Sequence, residues 1–413
     1  MTAPLDAQAV KASLERAIEL SASAKTLLGV KAITVQDPLT LSMTTETPTP
    51  NLPGLLTEPS TAIVNAAAAK TQGEAFTDRP VTTAMFRVER YELDRELAAV
   101  RYDGYWGGPA KSERLMVSVL PDASARFLAL QSGQLDVAFD IQPESVRQID
   151  GDKLRAVPAE PVATIFAYLD QAQAPLDDPR VRQALAHAVP PRDAVVDSVL
   201  RGQGQPAAGI FPPAVLQCSV DQPYPHNPEA ARRLLSAAGY RDGDGDGVLE
   251  RNGKPLELVL LSYPQRPTLT PTAEIVQSAL ASVGVKVQIR VVEQINEALE
   301  RGSWEAAMYF NNLASTGDPY GSLSRFFRTG GDANRGRYSN PAVDRDIDRL
   351  RALTDREQRQ NLACQIEREL ARDVAVLPLA YPSYVYGVAS PVVGFDTAHP
   401  YFLYFMTSEI AKG

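Results

Sequence analysis

Histidine, cysteine and tryptophan are scarce in this chain, with three, two and two residues in 413. His187, His226 and His399 all lie away from either cysteine, so the ligand spacing of a zinc-type cluster is missing. No apolar run approaches the roughly 20 residues that a membrane helix needs. The opening Met1-Thr2-Ala3-Pro4-Leu5-Asp6 has neither the basic region nor the apolar core of an export signal, and taken alone it reads as cytoplasmic. Positive charge is in deficit, 41 Lys and Arg against 50 Asp and Glu for a net -9. That balance is opposite to the basic footprint of a nucleic-acid binder, and no nucleic-acid partner is expected. Walker loop, G-x-S-x-G, H-E-x-x-H and dinucleotide fingerprint are all absent, which removes the usual reasons to propose an enzyme. Nothing in the chain calls for a cofactor or a resident metal. Cys218 and Cys364 are too far apart in sequence for pairing to be inferred. Two separate buried thiols are the expectation, because free cysteine is among the most buried residue types, with a disulfide as the alternative.

What is present is an ordinary soluble composition, 44% hydrophobic and 22% charged, in a chain long enough for two or three domains. Val10, Leu14, Ala17 and Ile18 share one helical face, followed by two strands that turn at Asp37-Pro38. Thr47 to Pro53 is too proline-rich for a regular element and reads as a loop. Strands at Phe86–Tyr91 and Leu97–Arg101 lead into an aromatic turn, and mixed α/β structure runs to about Ala163. A further unit is expected from near Tyr168. Asp178 and Pro179 mark a helix start, with the carboxylate at the cap and proline where its missing N–H costs nothing. Leu256–Leu261, Thr272–Val283 and the alternating Val285, Val287, Ile289 and Val291 predict strand, helix, strand, with Gly284 as a left-handed cap. That order argues for a βαβ unit and a parallel sheet. Another strand at Ala306–Phe310, two charged helices over Pro341–Leu353 and Asp355–Asp373, and an extended segment over Ala375–Val388 complete the pattern.

Asp242, Asp244, Asp246 and Gly247 open like a calcium loop, but the position of the bidentate glutamate is Gly253, so a polar hairpin is preferred. The carboxylates of Pro341–Asp373 alternate with arginines, as on a solvated, ion-paired helix face. Phe310-Asn311-Asn312-Leu313-Ala314-Ser315-Thr316-Gly317-Asp318-Pro319-Tyr320 leaves the end of a predicted parallel strand, where open α/β sheets present ligand sites. Its amides, hydroxyls and ring suit a polar solute, and Arg325 and Arg328 follow closely. Arg101 sits at the aromatic turn with Tyr105 and Trp106. Its rigid donor fork suits a carboxylate, against which stand an intralobe ion pair for Arg101 and simple turn packing for the two rings.

Together, Val100-Arg101-Tyr102-Asp103-Gly104-Tyr105-Trp106-Gly107-Gly108, Pro175 to Leu185 around Asp178-Pro179, Tyr224-Pro225-His226-Asn227-Pro228-Glu229, and Arg337-Tyr338-Ser339-Asn340-Pro341 resemble one family. It is family 5 of the extracytoplasmic solute-binding proteins, which deliver peptides, nickel chelates and related solutes to ABC importers. The resemblance implies an α/β, bilobal periplasmic-binding-protein-like fold (type II, cluster C) with mixed sheets and a two-crossing hinge. On that pattern residues 1–167 form a first lobe, 168–385 a second, and 386–413 return to the first. The chain starts at what resembles an internal helix, so an export signal and the first part of that lobe are expected to be missing, with unpaired strand edges as a result. A monomeric, periplasmic or surface-anchored protein without catalytic activity is implied, with ABC permease subunits as partners. Ligand contacts are expected from Arg101, Tyr105, Trp106, Asn311, Asn312, Ser315, Tyr320 and Arg325. Peptide-binding relatives carry an aspartate where Ser315 stands, and nickel-chelate relatives carry Trp and Tyr where Leu313 and Gly317 stand. Arg101 matches the carboxylate-gripping arginine of the nickel-chelate branch. The expected cargo is a nickel or other metal chelate or a short peptide. The alternatives are an oligopeptide- or dipeptide-binding protein proper, or a truncated non-transport remnant or sensor.

Overall fold

Many helix starts in this chain are set by a polar side chain placed directly before the first turn. In the computed structural model, residues 4–21, 24–25, 28–218, 224–313, 318–395 and 406–413 are described. They belong to two units, Met1–Ala159 with Tyr384–Gly413, and Glu160–Ser383.

In the first unit Asp6 accepts from the Ala9 N–H and opens helix α1 (Ala7–Leu20). The hairpin β1 (Val30–Asp37) and β2 (Thr40–Thr45) turns at Asp37, whose carboxylate accepts from the Leu39 N–H, as its sequence predicts. Leu14 of α1 packs with Leu28, Ile33 and Leu55 in a small apolar cluster. The proline-rich stretch departs from expectation at its end, where Leu52–Leu55 forms one helical turn with proline in its first positions. Antiparallel β3 (Phe86–Glu92), β4 (Glu96–Arg101) and β5 (Arg114–Ser118) form a three-stranded sheet. Its outer strand β5 leaves Met116 and Val117 exposed. Asp122 caps α2 (Ala123–Gln131), which packs Phe127 and Leu130 against Ala138 and Leu154 of the short strands β6 (Val137–Ala138) and β7 (Leu154–Pro158).

The second unit is built on β8 (Ala163–Leu169), every residue of which is buried. Ile165, Ala167 and Leu169 enter one core and Phe166 and Tyr168 the other, which is the two-residue alternation of a strand covered on both faces. Each such large side chain contributes roughly 1.5–3 kcal/mol by leaving water. Around β8 stand β9 (Gly204–Pro206), β10 (Glu257–Ser262), β11 (Lys286–Val291), β12 (Ala306–Asn312) and β13 (Val376–Pro382). The six strands lie in the order β11-β10-β12-β8-β13-β9. Pairing of β10 with β11 and β12 is parallel, and β8 runs antiparallel to β12 and β13, so the sheet is mixed.

Helices α3 (Pro179–Ala188), α4 (Arg192–Ser198), α5 (Pro228–Ala237) and α6 (Leu269–Ala281) cover one face or border it. The predicted βαβ unit is β10-α6-β11, and Gly284 after α6 has φ +85° with Leu249 packed where a Cβ would stand. The remaining helices are α7 (Ile295–Arg301), α8 (Pro319–Phe326), α9 (Pro341–Ala352) and α10 (Arg356–Asp373). Strand β14 (Val385–Ala389) then pairs with β6 and β7 in the first unit.

The expectation of two separate thiols is corrected here. Cys218 and Cys364 form a disulfide with Cα atoms 5.4 Å apart across 146 residues of sequence. The segment ending at Cys218 runs beside α10, where the Gln360 amide also donates to the Gln217 carbonyl at 2.8 Å. A pairing made by tertiary packing leaves no local signal.

Candidate ligand-binding site

The carboxyl ends of parallel strands converge on one edge of the second unit's sheet, and three segments meet there. Tyr263 and Arg266 follow β10, Phe310, Asn311 and Asn312 end β12, and Glu293 follows β11. The Gln265 amide donates to the Glu293 carbonyl at 2.9 Å, tying two of these loops together. Tyr263 is buried, and its hydroxyl accepts from the Phe310 N–H at 3.3 Å. The Arg266 guanidinium lies over the Phe310 ring, 4.4 Å from its centroid. At the same strand end the Asn311 side-chain nitrogen, on the opposite face of β12 from Phe310, is buried and has no protein partner among the described residues. A buried amide donor left unpaired costs about 1–3 kcal/mol, which a ligand oxygen would relieve.

The other predicted contacts of this unit are placed less directly. Ser315 lies outside the described residues. Tyr320 is half-buried in the first turn of α8, against a core that includes Leu323 and Phe327. Arg325 is exposed, and its Nε donates to both oxygens of Asp332 at 3.1 and 3.2 Å. Asp318 holds the loop's far end. One oxygen accepts from the Tyr320 N–H at 2.8 Å and the other from Arg359 Nη2 at 2.5 Å. The opposite nitrogen of Arg359 donates to the Leu350 and Leu353 carbonyls, closing the end of α9.

In the first unit Arg101 ends β4 with its Nε on Asp103 at 2.7 Å and Nη1 on the Ala110 carbonyl at 3.3 Å. The Tyr105 and Trp106 rings stand 5.1 Å apart at 52°, and Trp106 is 81% exposed. A Cβ on Gly107 would come within 2.7 Å of the Tyr105 ring, which would then have to swing aside. Arg101, Tyr105 and Trp106 thus share one turn.

Several quoted motifs prove to be helix-start devices. Asp178 caps α3, Asn227 caps α5 and Asn340 caps α9, each followed by proline. Tyr338 and Asn340 both donate to Asp373, at 2.6 and 2.7 Å, and the Tyr338 hydroxyl is driven well above its usual range by burial and by that carboxylate. The Asp242 carboxylate accepts from the Gly245 and Gly247 N–H groups. The oxygens of Asp242, Asp244 and Asp246 come within 4.8 Å of one another on the surface.

Arg266 is the candidate site residue that sequence reasoning missed. A lone arginine in Tyr263-Pro264-Gln265-Arg266-Pro267 has no periodicity to expose it. The available signal was its place just after a predicted parallel strand.

A two-unit α/β chain with a mixed sheet and a polar strand-end ledge has the architecture of a binding protein that holds a solute. The chain belongs to the bacterial extracellular solute-binding proteins, family 5, whose middle-region model matches residues 2–334. The glutathione-binding protein of Salmonella paratyphi A is 28% identical over 408 residues, 95% of this chain and 77% of that protein. The nickel-binding protein of Staphylococcus aureus is 26% identical over 389 residues, covering 94% and 76% respectively. The solved structure of that Staphylococcus aureus protein with Ni(L-His)2 superposes with TM-score 0.82 at 25% identity, over 99% of this chain and 84% of that one. The fold is therefore the bilobal periplasmic-binding-protein type, and the chain is a solute-binding component of the kind that serves ABC importers. Its relatives are binding proteins of transporters, and the family works outside the cytoplasm. Among the described residues no helix is long and apolar enough to cross a membrane.

Proposed function

We propose that this protein captures a small carboxylate-bearing solute, a metal chelate or a short peptide, and presents it to an ABC permease. The observation that carries this reading is the buried Asn311 side-chain nitrogen, without a partner among the described residues, at the strand end that also carries the Arg266 guanidinium on Phe310. A rigid cationic fork and an amide donor fit a carboxylate and its neighbouring polar atoms. Glutathione and the histidine complex of nickel, the solutes named for two relatives, both present carboxylates. Ser315 carries no charge to hold a free peptide amine, which favours a chelate or a compact peptide such as glutathione over a long one.

Asn312, Ser315, Tyr320 and Arg325 complete the second unit's contribution in this reading. Arg101 supplies a second grip from the first unit, exchanging Asp103 for a ligand carboxylate, with Tyr105 and Trp106 as its aromatic platform. The chain acts as a monomer, periplasmic or anchored at the cell surface. The two units close on the solute as lobes, and the closed form docks on the permease.

Calorimetric titration with glutathione and with Ni²⁺ plus L-histidine tests the assignment. One of them binds, and Arg266→Ala and Arg101→Ala each weaken that binding by roughly tenfold or more, the loss of one charge-assisted contact. Unchanged affinity in both variants would remove the two arginines from the site. Failure of both ligands to bind the parent protein would overturn the solute class.

A further inference from the structure

Glu367 lies in the middle of α10 and is 1% exposed. Its Oε1 accepts from the Ile210 and Phe211 N–H groups at 2.9 and 3.0 Å. Its Oε2 is buried and has no partner among the described residues. The segment it holds, 207–211, also touches both strands by which the chain enters and leaves the second unit. The chain enters after Ala159, and Thr164 at the start of β8 donates to the Ile210 carbonyl at 2.6 Å. It leaves after Ser383, and near that exit the Tyr381 hydroxyl accepts from the Gly209 N–H and donates to the Gly209 carbonyl, both at 2.8 Å. The Ser383 N–H itself donates to the Gln203 carbonyl at 3.1 Å. One short segment therefore braces both crossings, and one carboxyl group holds the segment.

The groups that face this carboxyl explain its chemistry. Arg368 neighbours it on α10, and Tyr381 approaches from β13. Beyond Tyr381 stands Arg192 of α4, whose Nε donates to the Pro378 carbonyl. The segment 207–211 carries no titratable side chain, and Cys364, one turn earlier on α10, is in the disulfide. Burial outweighs the two N–H contacts and Arg368, and pushes the Glu367 carboxyl up to about 7. A cavity of about 30 Å³, bordered by Arg192, Gly209, Ile210 and Ala371, lies alongside the segment and has room for a water molecule.

We propose that Glu367 is a proton-dependent positioning residue for the two crossings. Neutral, it seals 207–211 against Thr164 and Tyr381. Ionised, it requires solvation, admits water and loosens that brace. The stiffness of the crossings, and with it the ease of lobe closure, then changes with pH around neutrality. That last consequence rests on the ligand-capture reading, whereas the brace itself does not.

Hydrogen–deuterium exchange of the ligand-free protein, corrected for the intrinsic exchange rate, tests the brace without any ligand. Peptides covering 162–166, 207–211 and 379–383 should lose protection by roughly fivefold or more between about pH 5.5 and about pH 8.5, with a common midpoint within about one unit of 7. In Glu367→Gln these peptides keep their low-pH protection throughout, and α6 shows no such step in either protein. Should Glu367→Gln not fold, Thr164→Val decides. Its 207–211 peptide keeps the pH step while its 162–166 peptide loses it. A parent protein with no step, a step unchanged in Glu367→Gln, or a step confined to 207–211 would each overturn the proposal.

Discussion

Asp318 shows how a residue in a ligand loop can be committed to structure. One of its oxygens caps α8 and the other meets Arg359, with both side chains close to 10% exposed (13% and 11%). Removing one partner of such a pair leaves a charge in a site built for two, so Arg359→Met should cost about 3 kcal/mol in urea unfolding. A loss below about 1 kcal/mol would show the pair to be solvated in practice. Glu367 makes the opposite kind of residue-scale prediction. Its carboxyl is raised from 4.5 to about 7 in the folded state. The stabilising contribution of its proton is complete below the unfolded value and is lost as pH rises through about 7, a span of about 3 kcal/mol. Glu367→Gln should therefore become more stable relative to the parent as pH rises from about 5 to about 8. A difference that stays flat with pH would contradict the assignment. At this scale the sequence shows a residue's type but not its company. Asn311 was legible because it ends a recognisable strand, whereas Arg266 acquires meaning only when Phe310 lies beneath it.

Elements were more legible than side-chain partners. Asp or Asn before Pro marks the starts of α3, α5 and α9 by a local mechanism, cap plus missing N–H, that needs no tertiary context, and the same signal at Asp318-Pro319, read as part of a polar loop, opens α8. The β10-α6-β11 unit was equally plain from its two periodicities and Gly284. The two-residue strand β6 and the three-residue strand β9 carry no periodicity and exist only through their neighbours β14 and β13. Connections fared likewise. The Cys218–Cys364 bond joins a loop to α10 across 146 residues, and neither cysteine has a local feature that points to the other. Closing so long a loop restricts the unfolded chain, and replacing both cysteines by serine should cost about 3 kcal/mol. The midpoint of denaturant unfolding, compared in the parent and the double variant, measures this. An unchanged midpoint would show the bond to be dispensable.

For the whole molecule, absences carried as much weight as motifs. Histidine and cysteine are few, the net charge is negative and no catalytic fingerprint is present, while the motifs point to a protein that holds a solute. Family membership and the bilobal type agree with that reading. The disulfide suits the oxidising surroundings in which extracytoplasmic proteins work. The central claim, capture of a small carboxylate-bearing solute, is tested most directly by thermal unfolding of the purified protein against glutathione, Ni²⁺ alone, and Ni²⁺ with L-histidine. A ligand of the native state at about 100 times its dissociation constant adds about 2.7 kcal/mol of stability. The account predicts a clear rise in the midpoint with glutathione or with the nickel–histidine complex, and none with Ni²⁺ alone. A cooperative transition that neither carboxylate ligand moves would contradict it.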